Sequence, residues 1–172
     1  PGAGLRALPA TIAGMAMAMA MGPALGSAAS GAGRSEGGVA APPVRLLALG
    51  DSLTAGYGVS EADSFPVRLQ AALRARGLAV EVINAGISGD TTAGGLARLD
   101  WALAEGPDAV LVELGANDAL RAIDPAAVRA NLSGILERLQ QRRLPVLLAG
   151  MMAPRNWGRA YVQAFDRIFP EL

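Results

Sequence analysis

The 172-residue chain contains no cysteine, no histidine and no lysine, and all 15 of its basic residues are arginine. Without cysteine or lysine, the chain offers no disulfide, no cysteine nucleophile, no Schiff-base lysine and no P-loop lysine. Without histidine or cysteine, it lacks the usual ligands of zinc and the commonest general base near neutral pH. These absences exclude a metal site built on histidine or cysteine, and neither a metal nor an organic cofactor is expected. Any nucleophile in the chain lacks its usual activating partner.

The charge balance also excludes a class of partner. The formal net charge is zero, from 15 acidic and 15 basic residues. No long-range field would draw such a protein to nucleic acid or to an anionic membrane, so neither is expected as a partner. Hydrophobic residues make up 52% of the chain and charged residues 17%, which is enough apolar content for one buried core.

The N-terminal tract has the order of a secretory signal peptide. Arg6 precedes an apolar run at Ile12–Met21, a Gly22-Pro23 break and a stretch of small residues. The apolar run is about ten residues long, short of the roughly 20 that span a bilayer, so stable membrane insertion is not expected. We expect a signal peptide over residues 1–29, incomplete at its start because the chain does not begin with Met, then a flexible Gly/Ser/Ala/Pro-rich lead over 30–43. The protein is accordingly expected to be exported, to the periplasm or the medium.

Residues 44–172 predict an α/β domain. Four short apolar runs are typical of parallel strands that are covered on both faces; they are 44–49, 80–83, 109–114 and 146–149. Ser64-Phe65-Pro66 and Asp124-Pro125 each place a capping residue next to an early proline, which indicates a helix start. Further helices are predicted, with less distinct ends, at 92–103 and 161–169. Strands that alternate with helices imply right-handed crossovers and a three-layer α/β/α sandwich with a mainly parallel sheet.

Polar clusters follow the first three predicted strands, where ligands of such sheets bind. Ser52 comes directly after the first strand and beside glycine-rich sequence, a position in which a hydroxyl and its own backbone N–H can face one pocket. Ser52 is therefore the candidate nucleophile, and the backbone of Ser52, the backbone of Gly86 and the amide of Asn117 are candidate donors to an oxyanion. Each cluster taken alone is also ordinary turn or capping chemistry.

In combination, the segments GDSLTAGYG, NAGISGDTT and GAND resemble the three blocks of the SGNH, or GDSL, hydrolase family. The resemblance is closest to its branch of bacterial arylesterases, thioesterase I and lysophospholipases, and it covers the whole predicted domain. It implies a flavodoxin-like fold, nucleophilic attack by Ser52 on esters or thioesters, and an oxyanion hole formed by Ser52, Gly86 and Asn117. It also implies that Asp51 and Asp118 shape the loops and do not react.

The last block of that family, a DxxH motif whose histidine is the general base, is not present in the chain. We expect the final strand and helix to be missing and the sequence to be a fragment of a longer hydrolase. Because serine is a weak nucleophile without a base, the 172 residues alone are expected to be nearly inactive. The alternative is a non-catalytic module that keeps the pocket to bind an acyl or carbonyl ligand.

The substrate is a small-molecule ester or thioester on this interpretation. Tyr57 in the first loop, and Met152 and Trp157 after the fourth strand, are expected to border an acyl or aryl pocket. Simple loop packing is the alternative for these three side chains. A lysophospholipase or a carbohydrate deacetylase remains an alternative activity, because a fold does not name its substrate.

Overall fold

The structure is a computed structural model that describes residues 41–172. The predicted signal peptide over 1–29, and the predicted lead up to residue 40, lie outside the described residues. Within 41–172, no helix has both the length and the apolar character needed to cross a membrane.

The sheet of the described residues has four parallel strands in the order β2-β1-β3-β4. The strands are β1 (Val44–Gly50), β2 (Val80–Gly86), β3 (Ala109–Glu113) and β4 (Val146–Leu148). Each predicted strand is present, and the α/β class with a parallel sheet is confirmed. At the carboxyl end of the sheet, Gly50 is level with Gly86 on one side and with Glu113 on the other. The segment that follows β1 is therefore flanked by those that follow β2 and β3.

Helices connect the strands. They are α1 (Ser52–Ala55), α2 (Phe65–Ala75), α3 (Thr92–Ala97), α4 (Leu99–Leu103), α5 (Ala116–Leu120), α6 (Pro125–Gln141), α7 (Arg159–Asp166) and α8 (Ile168–Glu171), with short 3-10 turns at Glu61–Asp63 and Arg155–Trp157. The start of α6 is as predicted, and its preceding residue Asp124 accepts a hydrogen bond from the Ala126 N–H at 2.9 Å. The start of α2 also agrees with the prediction, although the Ser64 hydroxyl donates to the Glu61 carbonyl and does not cap the helix.

Two predicted helices are each divided in the structure. The segment predicted at 92–103 is broken at Arg98, where ψ is 3° and the backbone leaves the helical range. The segment predicted at 161–169 is broken at Arg167, between α7 and α8. Pro170 has no N–H to donate to the carbonyl of residue 166, so the longer helix cannot continue its hydrogen-bond ladder there.

Both faces of the sheet are covered, which explains the continuous apolar runs of the strands. One face of the sheet packs against helices and forms the main hydrophobic core. The most buried residues of this core include Leu47, Leu49, Val110, Val112, Leu132, Ile135 and Phe165. The alternate residues of the strands point to the opposite face, where Ala48 and Leu111 are buried and Leu73 of α2 is buried with them. The sheet is thus the middle layer of three, and its carboxyl edge carries the candidate site.

Candidate active site

Ser52 is the first residue of α1 and is separated from β1 by Asp51 alone. Asp51 is completely buried, and its Oδ1 accepts a hydrogen bond from the Leu53 N–H at 3.0 Å. Ser52 is only partly buried. Within residues 41–172, neither the hydroxyl nor the backbone N–H of Ser52 has a hydrogen-bond partner. The turn is therefore held by Asp51, while the polar groups of Ser52 remain available to a ligand.

Asn117 reaches this turn from the neighbouring strand. It lies in α5, which begins just after β3; the connecting Gly115 has φ of +125°, a conformation that favours glycine. The Asn117 Nδ2 donates to the Asp51 Oδ2 at 3.1 Å. An amide nitrogen carries two hydrogens, so a second one remains for another acceptor. The structure thus brings the predicted donor residues Ser52 and Asn117 to the same place.

Gly86 is also beside the turn, but its N–H is occupied. This glycine ends β2, and a Cβ placed on it would lie 2.2 Å from the Ala55 backbone nitrogen. Only glycine lets α1 approach the strand so closely. Its N–H donates to the Asn84 Oδ1 at 2.9 Å. The glycine therefore has a packing role that the sequence analysis did not foresee, and in this structure it offers no unengaged N–H to an oxyanion.

The turn from Ile87 to Asp90 lies close to the Ser52 turn. The Ile87 N–H donates to the Gly50 carbonyl at 3.0 Å, and the Asp90 N–H closes the turn on the Ile87 carbonyl at 3.0 Å. Gly89 within the turn has φ of +83°, and its N–H has no partner within the described range. Its carbonyl accepts from the Arg121 guanidinium at 3.0 Å. Gly89 is not among the donors predicted from the sequence, although it is the second glycine of the NAGISGDTT segment.

Arg98 fastens this turn to the end of β1. Its Nε donates to the Asp90 Oδ2 at 2.7 Å, and its second terminal nitrogen donates to the Gly50 carbonyl at 3.0 Å. The side chains of Arg98 and Asp90 are 14% and 11% exposed. The sequence analysis did not single out Arg98, because its only signal is a charged residue inside a helical segment.

Asp118 is completely buried and ties α5 to α3. Its two oxygens accept from the Thr92 N–H at 2.9 Å and from the Thr92 hydroxyl at 2.7 Å. The Asn131 amide of α6 donates to the same hydroxyl at 3.1 Å. Three elements around Asn117 are therefore joined, α5 to α3 through the Asp118 carboxylate and α3 to α6 through the Thr92 hydroxyl.

Glu113, the last residue of β3, is buried beneath the Ser52 turn, and its Oε2 accepts from the Thr54 hydroxyl at 2.8 Å. Burial raises the pKa of Glu113, and the negative charge of Asp51 adds to the rise; the Thr54 hydroxyl and the backbone amides of Asp51 and Thr54 oppose it. Asp90 and Asp118 are bound by Arg98 and Thr92 as described above. Within 41–172, none of these carboxylates is hydrogen-bonded to Ser52 as a base would be.

The three predicted substrate-lining residues lie on the surface. Tyr57 is 80% exposed and follows α1, with its N–H donating to the Ser52 carbonyl at 3.0 Å. Met152 and Trp157 are exposed, and within the described residues no hydrogen bond or ring contact joins them to the Ser52 turn. Met151 packs beside the third loop, since its Cγ lies 3.7 Å from where a Cβ on Gly115 would be.

Comparisons with known proteins find a matching family model, similar sequences and similar solved structures for this chain. The model of the GDSL-like lipase/acylhydrolase family matches residues 48–172. An arylesterase of Vibrio mimicus is 44% identical over 129 residues, 74% of this chain and 64% of the relative. The thioesterase 1/protease 1/lysophospholipase L1 of Escherichia coli K12 is 42% identical over 128 residues, 74% of this chain and 60% of the relative.

A solved structure is similar over the same region. The crystal structure of AlinE4, an SGNH-hydrolase family esterase, has a TM-score of 0.75 and 49% identity, and the match covers 77% of this chain and 72% of AlinE4. The chain spans less than two thirds of the length of the two curated relatives, 64% and 60%.

Proposed function

The chain belongs to the GDSL-like lipase/acylhydrolase family, and on that premise we propose that it is a serine hydrolase of carboxylic esters or thioesters. Ser52 is the nucleophile of this proposal. Its Oγ attacks the carbonyl carbon, the alcohol or thiol leaves, and water then hydrolyses the acyl-enzyme.

One observation carries the proposal. Ser52 stands at the carboxyl end of the inner strand β1 with a hydroxyl and an N–H that no group within residues 41–172 engages. The rest of its turn is tightly held, by Asp51 on the Leu53 N–H and by Asn117 on Asp51. A polar group left open on a fixed turn is what an acyl-transfer nucleophile requires.

The proposed oxyanion hole uses donors that carry no charge. The Ser52 N–H and the second hydrogen of the Asn117 amide are two of them. For the third, the sequence predicts Gly86, whose N–H is held by Asn84. We propose Gly89 instead, because its N–H is unengaged in a turn fastened to Gly50, with Gly86 as the alternative if its bond to Asn84 is released.

The proton of the Ser52 hydroxyl needs an acceptor when the Oγ attacks. No histidine is present in the 172 residues, and the four carboxylates near the site, with that of Asp51 included, are bonded to other groups. We therefore propose that these residues alone react slowly and that imidazole added to the solution, acting as a general base, accelerates the reaction.

The substrate proposal stays at the level of the reacting bond. One relative is named an arylesterase and another a thioesterase and lysophospholipase, so esters and thioesters are both proposed, with carbohydrate deacetylation as the alternative. Export to the periplasm or medium is proposed from the residues before 30. Fusion of residues 1–43 to a reporter that is active only after export tests that proposal, with residues 30–43 as the control fusion.

The test of the nucleophile is covalent labelling with a fluorophosphonate, in which a bond forms between Oγ and phosphorus, the phosphorus–fluorine bond breaks and the proton passes to buffer or imidazole. We expect the mass of one phosphonyl group on Ser52, at a rate raised about tenfold by imidazole. Ser52→Ala should abolish labelling. Ser88→Ala is the matched control, because Ser88 is an exposed serine at the same edge of the sheet whose hydroxyl has no partner in the described part.

The alternative function is a non-catalytic acyl-binding module. It predicts that a p-nitrophenyl ester binds without release of p-nitrophenolate and that imidazole does not accelerate labelling. Labelling of wild-type protein at the same rate as Ser52→Ala would reject the hydrolase proposal.

A further inference from the structure

Beneath the Ser52 turn lies a buried carboxyl group that the proposed reaction does not use. Glu113 is 8% exposed, and its Oε1 is buried with no hydrogen bond of normal geometry within residues 41–172, although the backbone amides of Asp51 and Thr54 lie near enough to the carboxyl to lower its pKa. Placing a carboxyl in such surroundings is unfavourable, and an unpaired buried oxygen adds to the cost. The position therefore calls for an explanation beyond packing.

The other oxygen of this carboxyl supports the Ser52 turn. Its Oε2 accepts from the hydroxyl of Thr54, which is completely buried and lies two residues after Ser52 in α1. Glu113 is level with Gly50, the last residue of β1, and a Cβ on Gly50 would lie 2.8 Å from the same Oε2. The Thr54 side chain, whose Oγ1 lies 2.1 Å from the same Cβ position, and the Glu113 carboxyl together fill the space that the missing side chain of Gly50 leaves.

We propose that Glu113 is a positioning residue for Ser52. By accepting the hydrogen bond from Thr54, it holds α1 in the position and orientation in which the Ser52 hydroxyl reacts. The helix has a single turn of four residues, so contacts outside the helix must set its orientation. Asp51 holds its first turn through the Leu53 N–H, and the bond from Thr54 to Glu113 is the side-chain contact beneath it. The bond acts through the hydroxyl of Thr54 and does not require a negative charge on Glu113. The inference rests on the proposed role of Ser52.

Five variants of the full 172-residue chain separate positioning from simple support of the fold. Thr54→Val and Glu113→Leu each remove one partner of the bond, and the double variant removes both. Thr54→Ser keeps the hydroxyl, and Glu113→Gln keeps an acceptor oxygen without the charge. The measurements are the fluorophosphonate labelling rate of Ser52 across probe concentrations and the urea midpoint of unfolding.

We expect each disruptive single variant to lower the maximal labelling rate about tenfold, because small displacements of a reacting group are costly, and to leave the half-saturating probe concentration unchanged. Both variants should also unfold at lower urea, since each leaves a buried polar atom unpaired. The double variant should recover most of its urea midpoint, because replacing both partners by apolar groups leaves neither unpaired, yet remain about tenfold slow. Thr54→Ser and Glu113→Gln should label within about twofold of wild type.

Recovery of both the urea midpoint and the labelling rate in the double variant would show that the pair only supports the fold, and would overturn the inference. Wild-type labelling rates in both disruptive single variants would overturn it equally. If a single variant does not fold, the double variant and the two conservative variants still distinguish positioning of Ser52 from simple support of the fold. Absence of Ser52 labelling in wild-type protein would instead reject the proposed function, and the inference would fall with it.

Discussion

The Nε of Arg98 lies 2.7 Å from the Oδ2 of Asp90, and both side chains are almost enclosed, at 14% and 11% exposure. The same guanidinium reaches the carbonyl at the end of β1. One largely enclosed cation therefore joins the turn that follows β2 to the strand that presents the proposed nucleophile.

Arg98→Met should lower both stability and reactivity. Removing one partner leaves the Asp90 charge buried and uncompensated, which costs about 3 kcal/mol in the free energy of unfolding. The labelling rate of Ser52 should also fall, because the turn of Gly89 loses its attachment to Gly50. Urea unfolding and fluorophosphonate labelling measure the two effects.

The matched control is Arg142→Met. Arg142 binds Asp100 at the same 2.7 Å, but these side chains are 50% and 63% exposed. A solvated pair of this kind contributes at most about 1 kcal/mol, so the control should stay close to wild type in both measurements. Equal losses in the two variants would contradict the role of burial at Arg98.

Much of the fold follows from local patterns in the sequence. The four strands are apolar runs because both faces of the sheet are covered, and that pattern is visible without a structure. The start of α6 is equally local, since Asp124 and Pro125 provide the cap and the first turn themselves. The motif around Ser52 is also recognisable by its order and spacing along the chain.

The contacts that fix the candidate site are not local, which is why the sequence did not reveal them. Thr54 and Glu113 are 59 residues apart, and Arg98 meets Gly50 across 48 residues. The choice between the two glycines at the end of β2 and in the turn after it also depends on contacts that the sequence does not show. Gly86 and Gly89 are equally plausible as donors in sequence, and only the position of Asn84 and the turn geometry distinguish them.

The identity of the third oxyanion donor can be tested through the neighbours of these glycines. If Gly89 donates, Arg121→Ala should slow labelling of Ser52 several-fold, since the Gly89 carbonyl loses its bond to the guanidinium. Asn84→Ala should leave the rate unchanged on this proposal. If Asn84→Ala instead accelerates labelling and Arg121→Ala has no effect, Gly86 is the third oxyanion donor, because Asn84→Ala releases the Gly86 N–H.

Asp118→Ala should destabilise the protein by about 3 kcal/mol, because the buried Thr92 N–H and Thr92 hydroxyl each lose the oxygen that accepts their hydrogen bond. Asp124→Ala is the matched control. It removes an exposed helix cap that also accepts a backbone N–H, a change that costs about 1 kcal/mol. Urea unfolding compares them, and similar losses for the two would show that the buried bonds to Thr92 contribute little.

Glu113→Gln should remove part of the pH dependence of stability. Burial raises the pKa of Glu113 in the folded protein above its usual value of 4.5. Between that value and the raised pKa, the folded protein holds a proton that the unfolded chain has lost. Rising pH therefore favours unfolding through this group, and the contribution of the protonated carboxyl to stability is lost as pH passes through the folded pKa. Glutamine stays neutral, so the Glu113→Gln variant avoids this loss.

The free energy of unfolding of Glu113→Gln, relative to wild type, should increase as pH is raised from 4 towards 8, as urea titrations at each pH would measure. Glu137→Gln, at an exposed position of α6, is the control and should show a flat difference. A flat or decreasing difference for Glu113→Gln would mean that the carboxyl ionises in the folded protein as easily as in the unfolded chain.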